Sequence, residues 1–155
     1  MPLEAPKRIE PESLADYLEV ITKAAFQSGI SWRVIEAKWA GFREAFSGFD
    51  PEVVSRLTPD DVDRLATDTR IVRNRKKIEA TIDNAVELLA LEREHGSFVV
   101  WLRSHGGFLE TVAALRRHFR FVGAMGAYYF LYVVGEEVPP HEEGMALLSG
   151  KDAAR

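Results

Sequence analysis

Apolar positions recur along the chain at helical spacing, and no run of alternating β-branched residues between hairpin turns interrupts them. Between Glu12 and Ala25, Leu14, Leu18, Ile21 and Ala25 fall on one face, and the helix they define ends near "QSG". A second helix is predicted from Trp32 to Phe46. In "FDPE", Asp50 is suited to cap and Pro51 to fill the first helical position; "TPDD" repeats the signal with Thr58, Pro59 and Asp61. The longest helix is expected from Val72 to Glu94, with Ile78, Ile82, Ala85 and Leu89 inward and Gly96 as its stop. Ser97 is suited to cap a short helix through Trp101, and after "HGG" another helix spans Leu109 to Arg117. The helix that ends at Gly135 is too apolar and aromatic for a surface position. The pattern predicts an all-α fold: an N-terminal extension over 1–11, one domain over 12–141, and an irregular tail over 142–155, where proline and acidic residues gather.

Composition narrows the class. A length of 155 residues suits one domain, and 20 basic against 24 acidic residues leave it mildly acidic, so bulk charge does not announce a nucleic-acid binder. With no cysteine there is no disulfide, no thiolate metal site and no cysteine nucleophile, which fits a reducing compartment. The start "MPLEAPKRIEPES" has no apolar core, and no later run reaches the roughly 18 apolar residues of a membrane span. The expectation is a cytoplasmic protein without membrane partners.

The charge is locally uneven. Arg116, Arg117 and Arg120 surround the turn "FRFVG", and a second run, "RIVRNRKKI", brings Arg70, Arg73, Arg75, Lys76 and Lys77 to the start of the longest helix. A tight turn before a helix exposes unpaired N–H groups at the positive end of the helix dipole, which suits a phosphate. Phe119, Phe121 and Val122 are expected to bury into the domain, while Gly123 lets another chain's backbone come close. The plainer alternative is a turn between two core helices with a solvated basic rim. Two such clusters at helix starts in an acidic protein point towards a localised phosphate-binding face.

The segments "FQSGISW", "FREAFSGFDPEVV", "DDVDRLATDTRIVRNRKKIEATIDNA" and "HFRFVGAMGAYYFLYVVG" resemble, in order and approximate spacing, the DNA 3-methyladenine glycosylase I family of the helix-hairpin-helix superfamily. The likeness runs from about Leu14 to His141. It implies a single helix-hairpin-helix domain in which Phe119, Arg120, Phe121, Val122 and Gly123 form the DNA-binding hairpin. It also implies that Trp32 is a stacking wall for a flipped base, with Gln27 and Ser31 as polar pocket groups. Arg73, Arg75 and Lys76 are the expected backbone contacts. Trp39 and Trp101 are expected in the core.

Departures from the family pattern accompany the matches. Eight residues before the pocket tryptophan the family has a glutamate that hydrogen-bonds the damaged base; here Ala24 stands there. The family's N-terminal aromatic cover and two of its metal ligands have no counterpart in "MPLEAPKRIEP", which leaves Tyr17, Tyr128 and Tyr129 as possible covers. Its His-x-x-x-Cys pair falls on His141 and Met145, so no metal is expected, and no other cofactor. His95, His105 and His118 lack ligand spacing and read as surface or capping residues. The lysine of lyase members corresponds to Met125, and the superfamily's aspartate to Pro140. The expected activity is monofunctional release of an alkylated purine, 3-methyladenine in type, from double-stranded DNA by a monomer, with the catalytic group unassigned. Two rivals stand beside it: a non-catalytic DNA-binding module, and an all-helical adaptor, the latter if the two basic clusters face opposite ways.

Overall fold

The computed structural model describes residues 5–150 and is all-helical, with no strand among the described residues. The helices are α1 (Leu14–Gln27), α2 (Trp32–Ala45), α3 (Pro51–Val54), α4 (Pro59–Leu65), α5 (Arg75–His95), α6 (Phe98–Leu102), α7 (Phe108–His118), α8 (Ala124–Val133) and α9 (His141–Leu148). The expected caps form. Asp50 accepts the Glu52 N–H, Thr58 and Asp61 make a reciprocal capping box, and Ser97 accepts the Val100 N–H. These bonds satisfy amides that a helix start leaves without partners.

The long α5 packs against α1, α3, α4 and α6, and α1 also packs against α8. Its first turn begins later than the apolar pattern predicts, because Asn74 accepts the Lys77 N–H as N-cap and leaves Arg73 outside the helix. Aromatic rings fill the core: Trp39 stacks on Phe42 at 4.8 Å and on Phe49 at 5.3 Å, while Phe98 meets Tyr17 at 5.0 Å and Trp101 at 5.5 Å. Trp39 and Trp101 are thus core indoles, as expected.

Two boundaries differ from the sequence reading. The tail placed at 142–155 is not irregular throughout, because α9 runs to Leu148. Glu142 and Glu143 in its first turn suit the helix dipole, and Gly144 gives room for the Tyr128 ring, whose edge lies 2.7 Å from where a Cβ would stand. In the extension at 1–11, the Ile9 N–H donates to the Val133 carbonyl at 2.7 Å, and the Arg8 guanidinium lies 4.6 Å from the Tyr132 ring centre. Residues 1–4 and 151–155 lie outside the described part.

Candidate functional site

The hairpin joins α7 to α8. Phe119 is buried against Phe98 and Trp101, and Val122 is buried too. Phe121, expected inside, is instead 39% exposed, with φ at +61°. The chain reverses through a left-handed residue there, which swings the ring outward at a backbone cost of about 1–2 kcal/mol. Gly123 is the N-cap of α8, and no side chain caps that end. Around the turn lies an open cleft of about 580 Å³, lined by Ser28, Arg116, Arg117, Arg120, Phe121 and Gly123 among others.

The hairpin is held from below by α5. Buried Asn84 accepts the Arg120 N–H at 2.8 Å and donates to the Arg120 carbonyl at 3.2 Å, and the Arg120 guanidinium pairs with Asp83 at 2.6 Å. At the start of α5, Lys77 is buried rather than part of a solvated face. Its ammonium donates to the carbonyls of Phe26, at 3.1 Å, and Ser28, and lies 5.8 Å from the Phe121 ring centre. Burial pushes it below the ordinary lysine range. Lys77 therefore ties the end of α1, the start of α5 and the hairpin together. Arg75 is paired with Asp63 at 2.8 Å, and Arg70 with Asp68 and Glu44. Arg73, Lys76, Arg116 and Arg117 are exposed, and no ion pair holds them among the described residues.

Trp32 opens α2 half-buried, its ring edge-on to Tyr129 of α8 at 5.3 Å and 74°. The other two candidate tyrosines are committed elsewhere. Tyr17 sits in the core against Phe98, and the Tyr128 hydroxyl donates to the Pro139 carbonyl at 2.8 Å. Burial, then the nearby carboxylates of Glu36 and Glu19, hold the Tyr129 phenol well above its ordinary range, so it stays neutral. Gln27 closes α1, and Ser31 stands at the N-cap of α2 without a side-chain cap bond. Ala24 is 1% exposed and faces Gly126, whose Cβ position lies 3.5 Å from the alanine methyl. The position is buried on α1, and a methyl group there accepts no hydrogen bond.

A charged group lies alongside. The Lys23 ammonium is 5.2 Å from the ring centres of both Trp32 and Trp39 and 2.5 Å from the Glu36 carboxylate. Glu19 accepts the Trp39 indole N–H at 2.7 Å and the Arg43 Nε–H at 2.6 Å.

His141 starts α9 edge-on to Tyr128, and Met145 follows on the same helix. Among the described residues no group of three or more His, Cys, Asp or Glu is placed to hold a metal. An imidazole with a thioether does not fit a tetrahedral zinc shell. Two other histidines are more engaged than expected: His118 Nδ1 lies 2.6 Å from Glu87, and His105 packs edge-on to Trp101 at 4.7 Å with its Nε2 buried and unpartnered.

Asn84 and the Lys23–Glu36 pair were not legible as site residues, Lys77 was legible only as one charge of a basic run, and Tyr129 only as one of three candidate covers. A signal existed for two of them. Lys77, Thr81, Asn84 and Leu88 form one buried stripe of α5, and polar residues within an inward stripe need partners.

An all-helical frame with a glycine-closed turn opening α8, and with Tyr129 of that helix meeting Trp32 of α2, is the arrangement of a DNA glycosylase fold. The structure matches 3-methyladenine DNA glycosylase I from Staphylococcus aureus with TM-score 0.72 and 28% identity, covering 82% of this chain and 79% of that one. A solution structure of 3-methyladenine DNA glycosylase I matches with TM-score 0.67 and 28% identity, over 81% and 79% of the two chains. The chain belongs to the methyladenine glycosylase family, whose sequence profile matches residues 11–114. It is 32% identical over 130 residues to the DNA-3-methyladenine glycosylase of Haemophilus influenzae, covering 70% of each chain. It is 30% identical over 138 residues to DNA-3-methyladenine glycosylase 1 of Escherichia coli K12, covering 76% of this chain and 74% of that one.

Proposed function

We propose that this chain is a monofunctional DNA N-glycosylase that turns an alkylated purine, 3-methyladenine in type, out of duplex DNA and hydrolyses its N-glycosidic bond in base-excision repair. The observation that carries the proposal is the Trp32–Tyr129 pair, its tyrosine on the helix that the hairpin opens, in a chain whose family and relatives are methyladenine glycosylases. The protein works as a monomer in the cytoplasm, where its DNA substrate is, and needs no cofactor.

Backbone N–H groups at Val122, Gly123 and the start of α8 take a phosphate, with Phe119 anchoring the turn from inside and Arg120 flanking it. Arg73 and Lys76 add charge along the strand, and Arg75 joins them by exchanging Asp63 for phosphate. The flipped base stacks on Trp32, with Tyr129 as its second wall and Gln27 and Ser31 offering polar atoms at its edge. N3-alkylation makes the purine cationic and a good leaving group. As the bond from the sugar C1′ breaks, its electron pair passes to the purine and cancels that charge; a water oxygen then bonds to C1′ and its proton passes to solvent. Stacking and exclusion of water from the pocket favour this departure.

The test is incubation with methylated duplex DNA and chromatographic analysis of released bases. Wild type releases 3-methyladenine, whereas Trp32→Ala loses at least about tenfold in rate, roughly 1.4 kcal/mol of barrier, and keeps its affinity for undamaged duplex. Duplex binding without any base release in wild type would convert the reading to a non-catalytic DNA-binding module.

A further inference from the structure

Lys23 is placed unusually for a surface lysine. Its side chain is only 18% exposed, and its ammonium lies between the Trp32 and Trp39 rings with the Glu36 carboxylate as counter-ion. Trp39 cannot turn freely, because Glu19 holds its indole N–H. Two indoles and one carboxylate around a cation make an aromatic cage, the arrangement that recognises organic cations. Trp32 belongs both to this cage and to the wall on which a base would stack.

We propose that the cage of Trp32, Trp39 and Glu36 is the charge-recognition subsite of the base pocket, and that Lys23 is its resident cation, withdrawing when a cationic alkylated base enters. The proposal rests on the reading of Trp32 as the base wall. Exchange of one monovalent cation for another leaves Glu36 paired throughout. A neutral purine that takes the same wall also displaces Lys23 but leaves Glu36 without a partner. Glu36 is 47% exposed, so the pair opens towards water at small cost. A carboxylate that Ala24 does not supply from α1 thus stands on α2, against the cation over Trp32.

The probe is 3,9-dimethyladeninium, a permanently charged purine with no sugar to lose, compared with neutral 9-methyladenine by calorimetric titration of the full chain. Wild type binds the cation more tightly. Glu36→Gln lowers the cation-to-neutral affinity ratio by between about 2-fold and about 30-fold, whereas Lys23→Met tightens both probes and keeps the ratio, because no resident cation has to leave. Lys23→Arg, which keeps the charge, leaves the ratio near that of wild type. Both altered side chains reach solvent, so melting temperatures stay close to wild type; should Lys23→Met fail to fold, Glu36→Gln decides alone. An unchanged ratio in Glu36→Gln, or no binding of either probe by wild type, overturns the cage. Base release by wild type with an unchanged ratio discards the cage and leaves the glycosylase reading standing; a ratio that moves as expected without base release does the reverse.

Discussion

Gly123 is the position at which the proposed backbone recognition of phosphate can be separated from folding. Its φ of −88° is open to any residue, and no atom lies within 4 Å of where a Cβ would stand. Gly123→Val should therefore keep the wild-type melting temperature while a branched side chain blocks the strand, weakening duplex binding about tenfold, or 1.4 kcal/mol. Unchanged affinity by fluorescence anisotropy would remove the hairpin from the interface. Ala24 is the opposite case. Restoring the family's glutamate looks like a gain of function in sequence, yet Ala24 is 1% exposed, so Ala24→Glu would carry a carboxyl into the buried face of α1. The expected result is a loss of several kcal/mol in chemical denaturation and no faster base release. Faster release from a stably folded variant would show that this buried face admits the carboxyl.

The hairpin owes its shape to the helix beneath it. Asn84 gives Arg120 both an acceptor and a donor, so Asn84→Leu, with the same branched skeleton, removes two bonds and leaves the part-buried Arg120 N–H and carbonyl without that partner. A cost of about 1–3 kcal/mol in denaturation, together with weaker duplex binding, is the expected outcome. Loss of stability with DNA affinity intact would mean that the turn keeps its shape without this anchor. Elements were legible where the signal is local: Asp50, Thr58 and Ser97 announce helix starts because a cap acts on amides two or three residues away. The turn and its basic rim were legible from the residues themselves, whereas the part assigned to Trp32 came only through the family pattern. Phe121 was misread because an apolar residue looks inward until the positive φ of the turn is known, and α9 because its support comes from Tyr128 and not from its own sequence. Tyr129, one aromatic among several on an apolar helix, becomes a wall only once α2 is packed beside it.

The folded molecule as a whole should be sensitive to mild acid through His105. Burial first, and then the charge of Arg117, hold its imidazole below the ordinary histidine range, and its Nε2 has no partner to welcome a proton. The unfolded chain takes that proton near pH 6.5, whereas the folded chain resists until lower pH. Between those values the unfolded state binds more protons, so stability falls as pH falls through the window and is fully regained above it. The melting temperature should drop between pH 7.5 and 5, and His105→Phe should flatten part of that drop; an identical slope in the variant would exonerate the residue. At the other end of the domain, α8 begins at the hairpin and carries Tyr129 on its second turn. Five residues at about 1.5 Å each set a span of roughly 7.5 Å, and each residue turns the helix by about 100°. The helix is then a ruler. Under the proposed function it measures from phosphate to flipped base, and one inserted residue within that span would leave both ends intact and out of register with each other.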